Sequence, residues 1–188
     1  PDKGMLNHLL LIFRLSTVGL VSFQEQRGFR VPIPTDQAQH ELTHLRILLE
    51  CEGACLSIRQ GGIDWESRLT AAHHKLSHIE KRVRGSADHM PLFILWAKAE
   101  QAFHETLISD CGSDVLKATH AMIYQRFRQQ VFNSDKKFVF VVENIEQHQG
   151  ILDAALMRDE ALIRSRIYSH LERNLVFDMP PELPKLPY

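Results

Sequence analysis

Apolar residues recur every three or four positions along most of the chain, with polar residues between them. This spacing is typical of helices that bury one face, and Gly, Pro and Asp residues mark where such helices stop and start. The predicted helices cover residues 5–18, 36–60 with a kink near Gly53, 65–83, a segment between the loop 85–88 and Gly112, 114–132, and 138–176. The last segment is predicted to be a helical hairpin that breaks at Arg158, with Asp159 as the N-cap of its second helix.

A short stretch near the amino terminus follows a different pattern. Residues 19–31 alternate polar and apolar positions around a turn that carries Arg27 and Gly28, which predicts a β-hairpin. No internal repeat and no long strand follow residue 34. The expected fold class is therefore all-α, an antiparallel bundle of about six helices preceded by a short helix and a β-hairpin.

Composition narrows the class of protein. The chain has 188 residues, of which 44% are hydrophobic and 24% charged, and its formal net charge is -1, as expected for a soluble globular protein without a global positive field. The three cysteines lack paired CxxC spacing, which indicates reduced thiols in a cytoplasmic protein rather than a zinc-thiolate site. The apolar stretch 5–13 is too short to span a bilayer, and no membrane partner is expected.

Four polar residues lie inside apolar helical stripes. Glu100 and His104 are one turn apart on the buried face of their helix. His148 and His170 replace apolar residues on the two helices of the predicted hairpin, roughly 15 and 18 Å from the turn, so they come level in antiparallel helices. These four residues predict one shared site.

A divalent transition metal would explain all four residues together. Imidazole nitrogens and a carboxylate suit zinc, with nickel or manganese as alternatives, and four protein ligands leave positions open for water or a small anion. The alternative is that each histidine is a core residue hydrogen-bonded to a neighbour. A buried carboxylate without a partner is costly, which favours the metal for Glu100.

The residues from 36 to 176 resemble the FCD effector-binding domain of FadR-subfamily GntR transcription regulators. The resemblance rests on the following segments: Arg46-Ile-Leu-Leu-Glu50, Phe103-His104, Cys111-Gly112-Ser113, His148-Gln-Gly-Ile-Leu152, Arg158-Asp159 and His170-Leu171. It implies a metal- and effector-binding domain over 36–176, a homodimer, and a small organic carboxylate as effector.

In metal-binding members of that family the ligands are an Asp, a His four residues later, a His some 45 residues on and a last His 22 beyond. Here the spacings are 4, 44 and 22, with Glu100 in the Asp position. The resemblance also implies that Arg46 grips the effector carboxylate, for which its guanidinium fork is suited. The alternative for Arg46 is a pair with Glu50 on the helix surface.

Residues 1–33 resemble the end of a recognition helix and the wing of a winged helix-turn-helix, without the preceding scaffold helices. This segment is interpreted as a partial winged-helix remnant, from a truncated or incomplete regulator. Arg14, Arg27 and Arg30 are weak candidates for contact with operator DNA phosphates, and the alternative is that they are solvated charges. Residues 177–188 are predicted to be an extended Pro-rich tail.

Three further sets of polar residues have helical spacing. His120 and Tyr124 are effector-binding candidates on the fourth helix of the domain, although the sequence does not fix which way they face. The other two sets are the i, i+4 pairs His40 with His44 and His74 with His78. They lack a visible third ligand, which favours exposed helical residues.

The expected function is the effector-sensing domain of a bacterial DNA-binding transcription regulator, with a carboxylate bound at a divalent metal. The first alternative is an incomplete regulator that acts only as a dimerisation partner. The second is a metal-dependent hydrolase, which the absence of HExxH, GxSxG and phosphate-binding glycine motifs disfavours. The chain is therefore expected not to be an enzyme.

Overall fold

The computed structural model describes residues 3–85, 90–132 and 139–176. The elements are α1 (Lys3–Thr17), β1 (Ser22–Gln24), β2 (Gly28–Arg30), α2 (Asp36–Gln60), α3 (Ile63–Arg84), α4 (Met90–Leu107), α5 (Asp114–Phe132), α6 (Val139–Leu156), α7 (Glu160–Leu171) and a 3-10 turn (Glu172–Asn174). Within these ranges, six of the seven α-helices follow the β-hairpin, which confirms the predicted fold class. The predicted Pro-rich tail lies outside the described residues.

The amino-terminal segment consists of α1 and the two-stranded hairpin. The strands are antiparallel, with Phe23 opposite Phe29, and the turn uses positive φ angles at Gln26 and Gly28. The apolar side chains of α1 are largely exposed, with Leu9 at 54% and Phe13 at 65%. The segment therefore adds no buried core of its own to the described structure.

The long helix α2 runs without interruption where a kink near Gly53 was predicted. A Cβ on Gly53 would lie 2.8 Å from Cγ2 of Ile108, so the glycine allows close packing at this point. The N-cap is Thr35, whose side chain accepts a hydrogen bond from the backbone N–H of Ala38, and Asp36 is the first helical residue. Asp36 thus contributes its charge to the first turn rather than the cap.

Helix α2 lies at the centre of the bundle, where it packs against α4, α5 and α7, and α3 packs against α4 and α6. The buried stripe of α3 consists of Trp65, Leu69, His73, Leu76, Glu80 and Val83. Ala72 and Ile79, on the same helix, are only partly buried. The buried stripe of α3 thus includes two polar residues, His73 and Glu80.

The predicted hairpin near the carboxyl end is present as α6 and α7, which pack against each other. Asp159 is the N-cap of α7, as predicted, and its side chain accepts a hydrogen bond from the backbone N–H of Leu162. Arg158 has a positive φ of 55°, and its guanidinium donates to the backbone carbonyls of Ile58 and Gly61. These bonds tie the α6–α7 turn to the α2–α3 turn.

Cys51, Cys55 and Cys111 are buried and form no disulfide, as predicted for structural thiols. Burial raises the pKa of the Cys51 thiol to about 12, which keeps it protonated and unreactive.

Over the described parts of the chain, every helix is too short or too polar to cross a membrane.

Candidate metal centre

The structure brings the four predicted ligands together at the centre of the bundle. One potential ligand atom from each of Glu100, His104, His148 and His170 lies within 4.8 Å of the others, and all four side chains are buried. Opposite ligands of an ion with bonds of about 2.1 Å are roughly 4.2 Å apart. The cluster is therefore near the size that one transition metal ion requires.

Three helices contribute these side chains. Glu100 and His104 project from adjacent turns of α4, while α6 supplies His148 and α7 supplies His170. The ring centroids of His148 and His170 are 4.5 Å apart, and the ring of His104 lies 5.5 and 5.3 Å from theirs. The helical hairpin thus brings His148 and His170 level, as the spacing predicted.

Each imidazole is held through its Nδ1 atom by an oxygen of a neighbouring side chain. Nδ1 of His104 lies 2.8 Å from Oε2 of Glu50, and Nδ1 of His148 lies 3.0 Å from Oε1 of Glu80. Nδ1 of His170 lies 3.1 Å from the side-chain oxygen of Gln147. Because an ionised carboxylate only accepts hydrogen bonds, the Nδ1 atoms of His104 and His148 carry the proton.

This arrangement leaves the Nε2 atoms of the histidines as lone-pair donors. Nε2 of His104 and Nε2 of His148 are buried and have no hydrogen-bond partner among the residues that the structure describes. An unpaired buried polar atom costs free energy, and metal coordination would satisfy both atoms. A carboxylate that holds the other ring nitrogen is the usual support of a metal-bound histidine. The residues present therefore fit a transition metal ion.

Burial favours the neutral form of His104 and His170, which is the form that metal binding requires. Burial lowers the pKa of His170 well below its ordinary value, and the nearby His148 and His104 lower it further. Burial also lowers the pKa of His104, against the opposing effect of Glu50. Protons therefore compete weakly for these nitrogens near neutral pH.

The carboxylate of Glu100 is ionised and accepts hydrogen bonds from three neighbouring side chains. Its Oε1 lies 3.2 Å from Nη2 of Arg46, and its Oε2 accepts hydrogen bonds from Nη1 of Arg128 at 3.0 Å and from the hydroxyl of Tyr124. Burial by itself would raise the pKa of Glu100, but the charges of Arg46 and Arg128 outweigh burial and lower it. Oε1 also lies 3.3 Å from Nε2 of His104.

Arg46 is 1% exposed and pairs with two carboxylates, Glu50 at 2.6 Å and Glu100 at 3.2 Å. Its guanidinium also stacks over the rings of Tyr124 and Phe127, each 4.7 Å from the ring centroid. The pair with Glu50 that the sequence offered as an alternative is therefore present, but in the core rather than on the surface.

The buried carboxylates that support the histidines were not predicted from the sequence. Glu50 accepts hydrogen bonds from Arg46, His104 and His120, and Glu80 accepts from Nε1 of Trp96 and from His148. The sequence could have indicated that Glu80 is buried, because it continues the spacing of Leu69, His73 and Leu76 along one face of α3. For Glu50, the indication is its position one turn after Arg46 on α2.

His120 and Tyr124 both face the cluster from α5. Nε2 of His120 lies 3.0 Å from Glu50, and Tyr124 donates to Glu100. Arg128 continues the same face one turn later and was also missed by the sequence analysis, although the i, i+4 spacing from Tyr124 could have indicated it. Burial lowers the pKa of Arg128 to about 10, which leaves it charged near neutral pH.

A small cavity of about 40 Å³ adjoins the cluster. Its walls include Glu100 and His170 together with the guanidinium groups of Arg46, Arg128 and Arg173. Since one water needs roughly 10–15 Å³ of such volume, the cavity is the size of a carboxylate group rather than of a large metabolite. The concentration of guanidinium groups favours an anion.

The other sequence candidates lie apart from this centre. Arg14, Arg27 and Arg30 are exposed on α1 and the hairpin. The histidine pairs 40/44 and 74/78 have their rings 6.4 Å apart. Within the described residues, the Glu100 cluster alone gathers three or more potential metal ligands.

Comparison with known proteins identifies the family of the helical domain. The model of the FCD domain family matches residues 41–173. The HTH-type transcriptional regulator BphR of Paraburkholderia xenovorans is 31% identical over 160 residues, which cover 83% of this chain and 63% of that protein. The HTH-type transcriptional repressor GlaR of Escherichia coli is 29% identical over 156 residues, 81% of this chain and 69% of that one. The chain thus spans less than two thirds of BphR.

Solved structures share the fold. E. coli McbR/YncC superimposes with a TM-score of 0.73 at 16% identity, covering 92% of this chain and 82% of that chain. A GntR-type putative transcriptional regulator from Rhodococcus superimposes with a TM-score of 0.68 at 20% identity, covering 89% and 76%. The named relatives are transcription regulators, which agrees with the expectation that this chain is not an enzyme.

Proposed function

Because the chain belongs to the FCD-domain family of GntR-type transcription regulators, we propose that its helical domain senses a small organic carboxylate at a divalent transition metal. Glu100, His104, His148 and His170 are the metal ligands. Arg46, with His120 and Tyr124, belongs to the effector site. The metal supplies positive charge and open coordination positions for the effector.

The observation that carries this proposal is the arrangement of the imidazoles. His104 and His148 are fixed through Nδ1 by buried carboxylates, while their Nε2 atoms are left unpaired in the core. Both atoms belong to the same cluster of four potential ligands, so a single metal ion would satisfy them together. Zinc suits three imidazoles and one carboxylate, and nickel or manganese would also accept them.

The adjoining cavity supports a carboxylate effector. Three guanidinium groups line a space of about 40 Å³ directly beside Glu100 and His170. Guanidinium groups bind carboxylates through paired hydrogen bonds, and a metal would offer another contact to the same ligand. His120 and Tyr124 support the site indirectly, because they form hydrogen bonds with Glu50 and Glu100 respectively.

Helix α5 connects the site to the amino-terminal segment. Tyr124 and Arg128 contact Glu100, and one residue further along Gln129 donates a hydrogen bond to the backbone carbonyl of Leu20. A shift of α5 on effector binding would therefore reach the α1 and hairpin segment. We assign residues 1–33 to the DNA-binding part, with Arg14, Arg27 and Arg30 facing phosphate, and 36–176 to the sensing domain of a homodimer.

The test is metal analysis of the purified chain with and without two of the proposed ligands. We expect about one transition metal ion per chain in the wild type. A double variant His148→Ala with His170→Ala should lose it. The matched control is His74→Ala with His78→Ala, which removes an exposed histidine pair and should retain the metal.

A thermal-shift screen of small carboxylates then tests the effector. A ligand that binds only the folded protein raises its melting temperature. The shift should require the metal and should shrink in an Arg46→Met variant. Equal metal content in the wild type and the His148/His170 double variant would rule out the proposed centre.

A further inference from the structure

The buried centre contains nearly balanced charges before any ligand is added. Arg46 and Arg128 contribute two positive charges, and Glu50, Glu80 and Glu100 contribute three carboxylates, all of them buried. With neutral imidazoles, a divalent cation would change this small surplus of negative charge into a surplus of positive charge. An uncompensated charge in a protein core is expensive.

Glu100 has a double role in this balance. Its two oxygens reach Arg46 and Arg128, while Oε1 also lies 3.3 Å from Nε2 of His104. The same carboxylate is thus a partner of the guanidinium groups and a member of the candidate metal cluster. It cannot fully neutralise the arginines and the cation at the same time.

We infer that Glu100 is an internal substitute for the anionic effector, so that the cation and the anion bind cooperatively. This inference rests on the proposed metal site. Glu100 pairs with Arg46 and Arg128 in the absence of a cation, and coordination of a cation by Glu100 would weaken both pairs. An external carboxylate in the adjoining cavity then restores the balance beside those two guanidinium groups.

The geometry gives the anion a defined place. The cavity shares Arg46, Arg128 and Glu100 with the contacts just described. Arg173, at the edge of the same cavity, adds a further positive charge. A carboxylate that enters here would replace the oxygens of Glu100 with its own. Each buried guanidinium group would then still have an anionic partner.

The experiment measures cation binding by calorimetry, with Zn²⁺ as the probe, in the presence of either acetate or acetamide. The two additives have nearly the same size and shape, but only acetate is charged. We expect acetate to tighten Zn²⁺ binding about tenfold, within the range typical of coupled sites, and acetamide to leave it unchanged. Acetate affinity should rise by the same factor when Zn²⁺ is present, because such coupling is reciprocal.

Two variants test the role of Glu100 and of the guanidinium groups. In Glu100→Gln both arginines lose the charge of Glu100, although Arg46 keeps its pair with Glu50. Acetate should therefore bind the metal-free variant more tightly than it binds the metal-free wild type. In Arg128→Met the effect of acetate on Zn²⁺ affinity should fall below about threefold. Arg126→Met, a matched change on the same helix but outside the cavity, should keep the full effect.

The outcomes separate this inference from the proposed function. Zn²⁺ binding that depends on His148 and His170 but is equally tight with acetate, acetamide or neither would overturn the coupling and leave the metal site standing. Failure to bind Zn²⁺ at all would overturn both. Equal acetate affinity with and without Zn²⁺ in the wild type would also refute the exchange at Glu100, whether or not either variant folds.

Discussion

The bundle buries charged side chains, whereas the amino-terminal segment exposes apolar ones. At the centre of the bundle, charged residues such as Glu50 and Arg46 are at most 1% exposed, whereas in α1 Leu9 and Phe13 are more than half exposed. The charges of the bundle are compensated by one another within the chain. The apolar side chains of α1 contribute nothing comparable to the described core.

This difference indicates which part of the chain specifies its own structure. The bundle joins buried charged groups in a hydrogen-bonded network around Glu50 and Glu100, although several buried side-chain atoms of the described residues, including Nε2 of His104 and His148, have no hydrogen-bond partner. Such networks favour one arrangement of side chains, because every alternative leaves more groups unpaired. From residue 4 to residue 33 the described amino-terminal segment has no buried residue and therefore no such network. It is joined to α5 by contacts such as the hydrogen bond from Gln129 to the backbone carbonyl of Leu20.

The largest effect should follow from removal of one charge in the network. Glu50→Gln leaves the buried guanidinium of Arg46 with less compensation and weakens the support of His104, so we expect a loss of about 3–5 kcal/mol in the free energy of unfolding. Chemical denaturation measures this loss. Glu52→Gln, which breaks the more exposed pair with Arg164 at 2.8 Å, should cost no more than about 1 kcal/mol. Equal losses in the two variants would show that the buried network is not the stabilising element.

A methyl group tests packing in the two regions. Gly53→Ala would place its Cβ 2.8 Å from Cγ2 of Ile108, and we expect it to cost about 1–3 kcal/mol of global stability. Gly62→Ala is the control in the bundle, since no heavy atom lies within 4 Å of its new Cβ. Gly19→Ala, at a φ of 75° and next to Arg126, should disturb the contact of the amino-terminal segment but change global unfolding less than Gly53→Ala does. The reverse order would mean that the segment is an integral part of the bundle.

The pH dependence of stability should reflect the buried histidines. The pKa values of His170 and His104 are lowered in the folded protein, chiefly by burial. The unfolded chain therefore binds more protons below the ordinary histidine pKa of about 6.5. Their contribution to stability is complete above about pH 6.5 and is lost as the pH falls towards their folded values, by at most about 1.4 kcal/mol per pH unit for each proton.

The measurement is the free energy of unfolding of chelator-treated protein from pH 7.5 to pH 5.5. A His170→Gln variant should show a shallower slope, while the exposed substitution His78→Gln should leave the slope unchanged. A slope that is the same in all three proteins would show that the buried imidazoles are not the groups that titrate.

The smallest effect should come from the exposed face of α1. Leu9→Asn removes an apolar side chain that is 54% exposed, and we expect it to change the global free energy of unfolding by less than about 0.5 kcal/mol. The contrasting substitution is Phe103→Ala in the bundle, where the side chain is fully buried and the cost should be about 3–5 kcal/mol. A large loss in Leu9→Asn would mean that α1 is stabilised by contacts of its apolar face.

Much of the fold could be predicted from the sequence because helices depend on local information. The recurrence of apolar residues located the seven helices of the described ranges to within a few positions, and Asp159 marked the start of α7. The error at Gly53 was local as well. Gly53 was interpreted as a kink, whereas α2 continues through it and the glycine permits a close contact with Ile108.

The four cluster residues were also predicted correctly as neighbours, since polar side chains on apolar stripes have few alternatives to meeting one another in the core. What only the tertiary structure decided is which other groups they meet. Glu50, Glu80 and Arg128 come from three different helices, and the sequence pattern of one helix carries no information about the register of the next. The support of each Nδ1 and the sharing of Glu100 between the arginines and the cluster depend on that register, because hydrogen bonds and ion pairs form only within about 3–4 Å.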